Sequence, residues 1–179
     1  MDIKNSKLIH FVGIPLIIAA YLALWVTTRD SVVIIRSVAL IIFGYIAAYN
    51  DFTTRKVPNK LILAMLAVWA VIMSVYIVVS IESAIDLLIQ SLISGVSAGG
   101  LFLLIYLVSR KGVGGGDVKL IAVMGLFLTF AKLMPMLFFS SLLAALASAV
   151  LLLTKRATIK TAVPLVPFLF LGAMITIFL

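Results

Sequence analysis

The chain has 179 residues, of which 65% are hydrophobic and only 11% are charged, and its formal net charge is +8. A soluble domain is closer to half apolar with about a quarter of its residues charged, so this composition predicts an integral membrane protein without a sizeable soluble domain. Cysteine is absent and His10 is the single histidine, which excludes disulfides and thiol nucleophiles and disfavours a zinc site. The basic excess is typical of loops at a cytoplasmic membrane face, and we expect no nucleic-acid partner.

Seven apolar segments approach the roughly 20 residues that a helix needs to cross a bilayer. In chain order they are Leu8–Thr28, Val32–Asn50, Leu61–Ser80, Ile85–Ser109, Val118–Ala131, Leu133–Thr154 and Ala162–Leu179. We expect the first to be a retained span, because it is longer than a signal-peptide core and no A-x-A site follows it. The predicted fold is an all-α polytopic membrane protein with about seven transmembrane helices. Because the fifth segment is short and Lys132 and Pro135 mark a turn after it, a six-span alternative stays open.

Basic residues are unevenly shared between the two sides of this map. Eleven fall on the side of the N-terminus, and only Arg29, Arg36 and Lys132 fall on the other. The excess predicts a cytoplasmic N-terminus in a multi-pass protein of the cell membrane. Asp51, at the end of the second span, and Asp117, at the start of the fifth, are then both cytoplasmic and at similar depth.

A cluster of three glycines, Gly114, Gly115 and Gly116, directly precedes Asp117 at the edge of the fifth apolar segment. Ionisable groups near a bilayer core are costly, and they usually carry function when they occur there. Glycine lets another backbone approach closely and leaves the helical region at little steric cost. A carboxylate beside such a backbone suits a protease that holds an extended peptide, and Asp51 is the candidate for a second carboxylate.

Two neighbouring carboxylates cannot both ionise cheaply, so a pair of them holds an acid and a base at once. The base would activate a water that attacks a peptide carbonyl, and the acid would protonate the carbonyl oxygen and later the leaving amine. Each residue also has a structural alternative. Asp51 could cap a span or pair with Arg55 or Lys56, and Asp117 could accept hydrogen bonds from free N–H groups at a helix start.

Three segments resemble, in order, those of the type IV prepilin and preflagellin peptidases, which belong to the GxGD intramembrane aspartyl proteases. Gly114–Leu120 is similar to the family signature G-x-G-D-x-K-L. Asp51, followed by Pro58 and Asn59, resembles the segment that carries the first aspartate of the family. Pro164–Phe168 resembles its Pro-x-x-Pro-Phe stretch in the last span.

The resemblance covers roughly residues 43–179 of a single membrane-embedded domain, with residues 1–30 as an additional N-terminal span. It implies that Asp51 and Asp117 are the catalytic pair and that no metal or other cofactor is needed. The substrate it implies is a prepilin-like protein, cut at the cytoplasmic face between a short basic leader and a hydrophobic helix. The residues that it implies for substrate binding or support are Gly114, Gly115, Gly116, Lys119, Pro58, Asn59, Pro164 and Pro167.

Differences from the family pattern, and a comparison with other classes of membrane protein, refine the expected function. Many bacterial members carry a cytoplasmic domain with paired CxxC motifs and methylate the new N-terminus, but this chain has no cysteine, so we expect a peptidase-only member. Presenilin-like proteases share GxGD but pair it with a Tyr-Asp dipeptide, whereas Asn50 precedes Asp51 here. A small transporter or channel is a further alternative, although it would place acids near mid-span. The prepilin, the bacterial or archaeal source and the oligomeric state are left open.

Overall fold

The computed structural model of the chain describes residues 19, 21, 22, 30–109, 114–154 and 163–179. Within these ranges it contains no strand, and its six helices are α1 (Ser31–Thr54), α2 (Asn59–Val79), α3 (Ile81–Val108), α4 (Gly115–Phe127), α5 (Phe130–Leu153) and α6 (Val166–Phe178). Helices α1, α2, α3 and α5 are long and apolar enough to cross a membrane, and α6 is a shorter apolar helix. This confirms an all-α, multi-pass membrane protein. Almost all of the predicted first span, Leu8–Thr28, lies outside the described residues.

Local signals explain where α1 begins and ends. The side chain of Asp30 accepts a hydrogen bond of 3.0 Å from the N–H of Val32, as an N-cap does. At the other end, Arg55 adopts the left-handed conformation with φ 53°, and its N–H bonds to the carbonyl of Asp51. Pro58 follows as the N-cap of α2, where a residue without an N–H loses no helical bond. The short turn between the two helices leaves Asp51 in the last turn of α1.

The turn between α4 and α5 lies earlier than the sequence predicts. Leu128 and Thr129 are extended and separate the two helices. The prediction that Lys132 and Pro135 mark this turn is therefore wrong, because both residues lie inside α5. The carbonyl of Thr129 accepts a hydrogen bond of 3.0 Å from the N–H of Lys132, and α5 begins after Thr129. Pro135 lies in the second turn, where it removes one helical hydrogen bond.

Small residues allow α3 and α4 to pack closely. A Cβ added at Gly125 would lie 2.9 Å from the Cα of Gly95, and one added at Gly99 would lie 2.8 Å from the Cβ of Ala122. Larger side chains would force these helices apart, which is why small residues are enriched at helix contacts in membranes. Helix α4 also contacts α1 and α2, and most of its apolar side chains are buried. It is thus enclosed by three of the other helices.

Helix α6 packs against α5 and α1. A Cβ at Gly172 would lie 2.7 Å from the carbonyl oxygen of Met136 in α5, and one at Gly44 would lie 3.0 Å from the ring of Phe170. Helix α1 therefore contacts both α4 and α6, and the end of α1 carries Asp51. The remaining residues predicted for the site lie just before or within the first turns of α4 and α6, or in the turn after α1 and the start of α2.

One basic residue lies where the sequence did not place it. Arg36 is inside α1 and only 3% exposed, so counting it among the outer loop charges is wrong. The reason is tertiary, because its guanidinium bonds to Ser91 of α3 and to the carbonyl of Leu126 in α4. Removing it from the count leaves still fewer basic residues opposite the N-terminal side, so the predicted asymmetry does not depend on it.

Candidate active site

Asp51 is buried, with 6% of its surface exposed, and its carboxylate meets the start of another helix. Its Oδ2 accepts a hydrogen bond of 3.1 Å from the backbone N–H of Val166, the first residue of α6. The first N–H groups of a helix have no partner inside it. Pro167 has no N–H, and the N–H of Phe168 bonds to the carbonyl of Leu165 at 3.1 Å. The N–H of Val166 is therefore the group that this helix start presents to Asp51.

This contact gives the buried carboxyl group of Asp51 a hydrogen-bond partner. The N-terminus of a helix carries a partial positive charge and stabilises anions placed against it. A buried carboxylate without such a partner would be strongly disfavoured. The structural alternative for Asp51 is thus realised in a different form: it caps a helix, but one that lies 115 positions further along the chain.

Asp117 is the third residue of α4 and precedes the predicted span Val118–Ala131. It is half-buried, and its Oδ2 accepts a hydrogen bond of 3.3 Å from the N–H of Gly114. Burial raises the pKa of Asp117, the negative charge of Asp51 raises it further, and the bond from Gly114 lowers it. The two carboxylates therefore lie within electrostatic range of each other, and the surroundings of Asp117 favour its protonated form.

The glycines before Asp117 have no side chains, and this leaves space around the start of α4. Gly114 is extended, with φ −77° and ψ 143°, and no described glycine has a positive φ. Gly114 therefore lies outside the helical region without a positive φ, whereas Gly115 and Gly116 begin α4. A Cβ at Gly114 would lie 3.2 Å from Oδ2 of Asp117, whereas one at Gly115 would have no neighbour within 4 Å. The missing side chains leave one side of the carboxylate open.

The turn after α1 lies against the start of α4. A Cβ at Gly116 would lie 3.7 Å from the Cβ of Val57 and 3.6 Å from its carbonyl oxygen. Pro58 and Asn59, which follow, are exposed, and so is Lys119 on the first turns of α4. The turn that follows Asp51 is thereby joined to the glycine segment that precedes Asp117.

The third predicted segment, Pro164–Phe168, also lies next to Asp51. Pro164 and Pro167 are half-buried, and they flank Val166, whose N–H binds Asp51. The structure thus brings the three segments singled out in the sequence to one place. Among the residues that it describes, no group of three or more His, Cys, Asp or Glu side chains could hold a metal ion.

Two groups that contribute to this arrangement, the N–H of Val166 and the side chain of Arg36, were not predicted from the sequence. The backbone N–H of Val166 has no side-chain signature, although the proline that follows it indicates a helix start with few free donors. Arg36 gave a signal that was not used: it is a basic residue inside the predicted span Val32–Asn50. Such a residue indicates a buried partner or a functional role.

Comparison with known proteins gives independent evidence on the family to which the chain belongs. Residues 38–149, more than half of the chain, match the sequence profile of the type IV leader peptidase family, and this range includes Asp51 and Asp117. Over 131 residues the chain is 33% identical to the prepilin leader peptidase/N-methyltransferase of Bacillus subtilis (strain 168). The alignment covers 73% of this chain and 50% of that protein, so the chain spans about half the length of this relative. No solved structure matches the chain significantly.

Proposed function

Because the chain belongs to the type IV leader peptidase family, we propose that it is a membrane aspartyl endopeptidase that removes the leader from prepilin-like substrates. The observation that carries this proposal is the paired environment of two acids. Asp51 is held at the N-terminus of α6 by the N–H of Val166, and its charge raises the pKa of Asp117. The N–H of Val166 thus holds one carboxylate in place, and burial and the charge of that carboxylate bias the other toward its protonated form, as hydrolysis by an acid and a base requires.

Asp51 is the general base in this proposal. Its ionised carboxylate takes a proton from a water molecule, and the resulting hydroxide attacks the carbonyl carbon of the scissile peptide bond. Asp117 is the general acid: it donates its proton to the carbonyl oxygen as the tetrahedral intermediate forms. Collapse of the intermediate breaks the C–N bond as the proton held by Asp51 passes to the leaving amine, and one hydroxyl group of the intermediate returns its proton to Asp117. The two titrations belong to the pair, so the pH profile reports macroscopic values.

The substrate approaches from the open side of Asp117. The absence of side chains at Gly114 and Gly115 leaves room for an extended backbone beside the carboxylate. The exposed Lys119, Pro58 and Asn59 border the same region, and we assign them to substrate contact or support. A prepilin would present its basic leader from the cytoplasm while its hydrophobic segment stays in the bilayer, so the proposal requires the pair to face the cytoplasm.

The proposal is limited to the peptidase reaction. The Bacillus subtilis relative is named for both a peptidase and an N-methyltransferase. Many bacterial members of the family carry paired CxxC motifs and methylate the new N-terminus, whereas this chain has no cysteine. We therefore propose that the product keeps an unmodified N-terminus.

Co-expression with a tagged prepilin tests the proposed function. The substrate should carry a short basic leader followed by a hydrophobic helix, and the readout is the mobility shift of the tagged product. We expect conversion with the wild-type chain and none with Asp117→Asn. Mass spectrometry of the product should give an unmethylated N-terminus. The absence of a shift with a panel of such substrates, or a shift that persists in Asp117→Asn, would contradict the proposal.

A further inference from the structure

Arg36 is a buried cation in the interior of the helix bundle. Its side chain is 3% exposed, and its Nη2 donates to the hydroxyl of Ser91 at 2.8 Å and to the carbonyl oxygen of Leu126 at 3.0 Å. Both of these partners are neutral oxygen atoms, and its Nε has no partner. Burying a charge in a membrane protein is costly, so the contacts that Arg36 makes must contribute something that a smaller apolar residue could not.

The contact with Leu126 meets a need of α4. This helix has 13 residues, which at 1.5 Å per residue is about 20 Å, whereas the hydrocarbon core of a bilayer is about 30 Å thick. Its last carbonyl groups have no partner within the helix, and water is scarce at that depth. Leu126 is the penultimate residue of α4. A guanidinium at this end satisfies a free carbonyl oxygen and complements the negative end of the helix dipole.

Helix α4 packs closely on α3 through small residues. The contact is built from Gly95, Gly99, Ala122 and Gly125, and the side chain of Leu126 lies directly over Gly95. Arg36 adds polar contacts at this interface, because it bonds to α3 through Ser91 and to α4 through Leu126. One side chain of α1 thus holds three helices in a single register.

That register sets the relative depth of the two aspartates. Helix α1 carries Arg36 and Asp51, and α4 carries Leu126 and Asp117. A shift of α4 along its axis would therefore move Asp117 relative to Asp51 and would break the bond to Leu126.

We propose that Arg36 is a positioning residue, which fixes the depth of α4 and thereby holds Asp117 opposite Asp51. Its effect on cleavage rests on the proposed function, but its effect on the position of α4 does not. The two are measured separately.

A cross-link at the start of α4 reports its position without any substrate. The Cβ of Val57 lies 3.7 Å from the Cβ position at Gly116, within the range of about 3.5–4.5 Å that disulfides adopt. The chain has no cysteine, so Val57→Cys with Gly116→Cys gives a clean background. We expect this pair to form a disulfide on mild oxidation and Arg36→Met to lower the yield. Lys132→Met is the matched control, because Lys132 also donates to a carbonyl near a helix end, but that carbonyl belongs to Ile177 of α6.

The expected series orders the variants by the bonds that they retain. Arg36→Lys can reach one partner but not both, so we expect a yield between those of the wild type and Arg36→Met, and Lys132→Met should give the wild-type yield. A parent pair that does not cross-link, or wild-type yields in both Arg36 variants, would overturn the proposal. Should the Arg36→Met protein fail to fold, Arg36→Lys and Arg36→Gln decide in the same way.

Kinetics with a processed prepilin then test the consequence for Asp117, with the native Val57 and Gly116 restored. We expect Arg36→Met to lower kcat by about 100-fold, the cost of a misplacement of about 1 Å, with little change in KM and partial rescue by Arg36→Lys. Equal losses in Arg36→Lys and Arg36→Met, or a change confined to KM, would contradict a positioning role. If the cross-link yields follow the expected order while the wild-type chain cleaves no prepilin, the proposed function fails and the registering role of Arg36 stands.

Discussion

The carboxylate of Asp51 accepts the backbone N–H of Val166 at 3.1 Å, although the two residues are 115 positions apart in the chain. The contact links the end of α1 to the first turn of α6. It also gives a physical reason for the proline-rich segment, because Pro167 has no N–H and the N–H of Phe168 is already bonded. The helix start thus directs its free donor at a single acceptor, which is one of the two aspartates proposed for catalysis.

The first prediction concerns that pair. We expect Asp51→Asn and Asp117→Asn each to lower prepilin cleavage by about 10²–10⁴-fold, the usual contribution of a general acid or base, while the protein still inserts and folds. Asp86→Asn is the control, because Asp86 is an exposed acid on α3. Cleavage is measured from the leader-processing shift over time. Near wild-type rates in either aspartate variant would remove the assignment of the pair.

The second prediction separates the structural role of Asp51 from its catalytic one. Asp51→Ala leaves the buried N–H of Val166 without an acceptor, which costs about 1–3 kcal/mol, whereas the side-chain oxygen of Asn can still accept it. We therefore expect Asp51→Ala to unfold more easily in detergent than Asp51→Asn, with both inactive. Thermal unfolding of the purified proteins measures this, with Asp86→Ala as the neutral control. Equal stabilities would show that the contact contributes nothing to the fold.

The third prediction uses the raised pKa of Asp117. A carboxyl whose pKa is higher in the folded state binds more protons there, so its contribution is fully present below the unfolded value and is lost as pH rises through the folded value. Ionised Asp117 therefore lowers stability at neutral pH, and Asp117→Asn removes this cost. We expect the variant to melt at a higher temperature than the wild type at pH 7–8. The gap should close as the pH falls toward about 4, the ordinary value for aspartate, and a gap that does not vary with pH would contradict the shift.

Much of this arrangement was predictable from the chain. Hydropathy places six of the seven expected segments on the six described helices, because about 20 apolar residues have few other stable forms in a membrane. The sites around Asp51 and Asp117 were identified because a carboxylate beside glycines at a span edge is unusual. The turn at Leu128 was not predicted from hydropathy. The break was expected near Pro135, because proline usually breaks helices, but Pro135 lies inside α5.

The features that could not be predicted from the sequence are tertiary contacts between residues far apart in the chain. The partner of Asp51 is a backbone N–H, and any residue except proline carries one, so Val166 could not be distinguished by type. Arg36 was assigned to the outer side because a basic residue near a span end normally reaches water. Its burial depends on Ser91 and on the carbonyl of Leu126, 55 and 90 positions away, and pairing at that range has no local signature.

The fourth prediction concerns the glycines. A methyl group at Gly116 would meet Val57 at 3.6–3.7 Å, an ordinary contact distance, so Gly116→Ala should retain most activity. The two γ-methyl groups of Val would press further into the turn and restrict the side chain within the helix, so Gly116→Val should lose far more. Gly100→Ala is the control, because Gly100 lies on α3 outside the proposed site and nothing lies within 4 Å of its Cβ position. Wild-type cleavage by Gly116→Val would leave the close approach without a role, and the same contrast is expected at Gly114.

The last prediction concerns orientation, on which the proposed function depends. A prepilin leader is basic and stays in the cytoplasm while its helix enters the bilayer, so a pair on the opposite face could not reach it. Eleven of the fourteen basic residues share a side only if the N-terminus and the segments of both aspartates lie on that side. Because the chain has no cysteine, single cysteines can be placed at Thr54, Glu82, Lys111 and Thr158 in otherwise unmodified protein.

An impermeant thiol reagent applied to intact cells should then label only the position of Glu82. The other three positions should react only after the membrane is permeabilised, because the positive-inside rule assigns their segments to the cytoplasm. The exposed Glu82 lies in the first turn of α3 and Thr54 is the last residue of α1, so these two positions compare the opposite ends of α2. Labelling at Lys111 from outside would place the glycine segment on the wrong face, and the orientation and the cleavage of a cytoplasmic leader would then fail together.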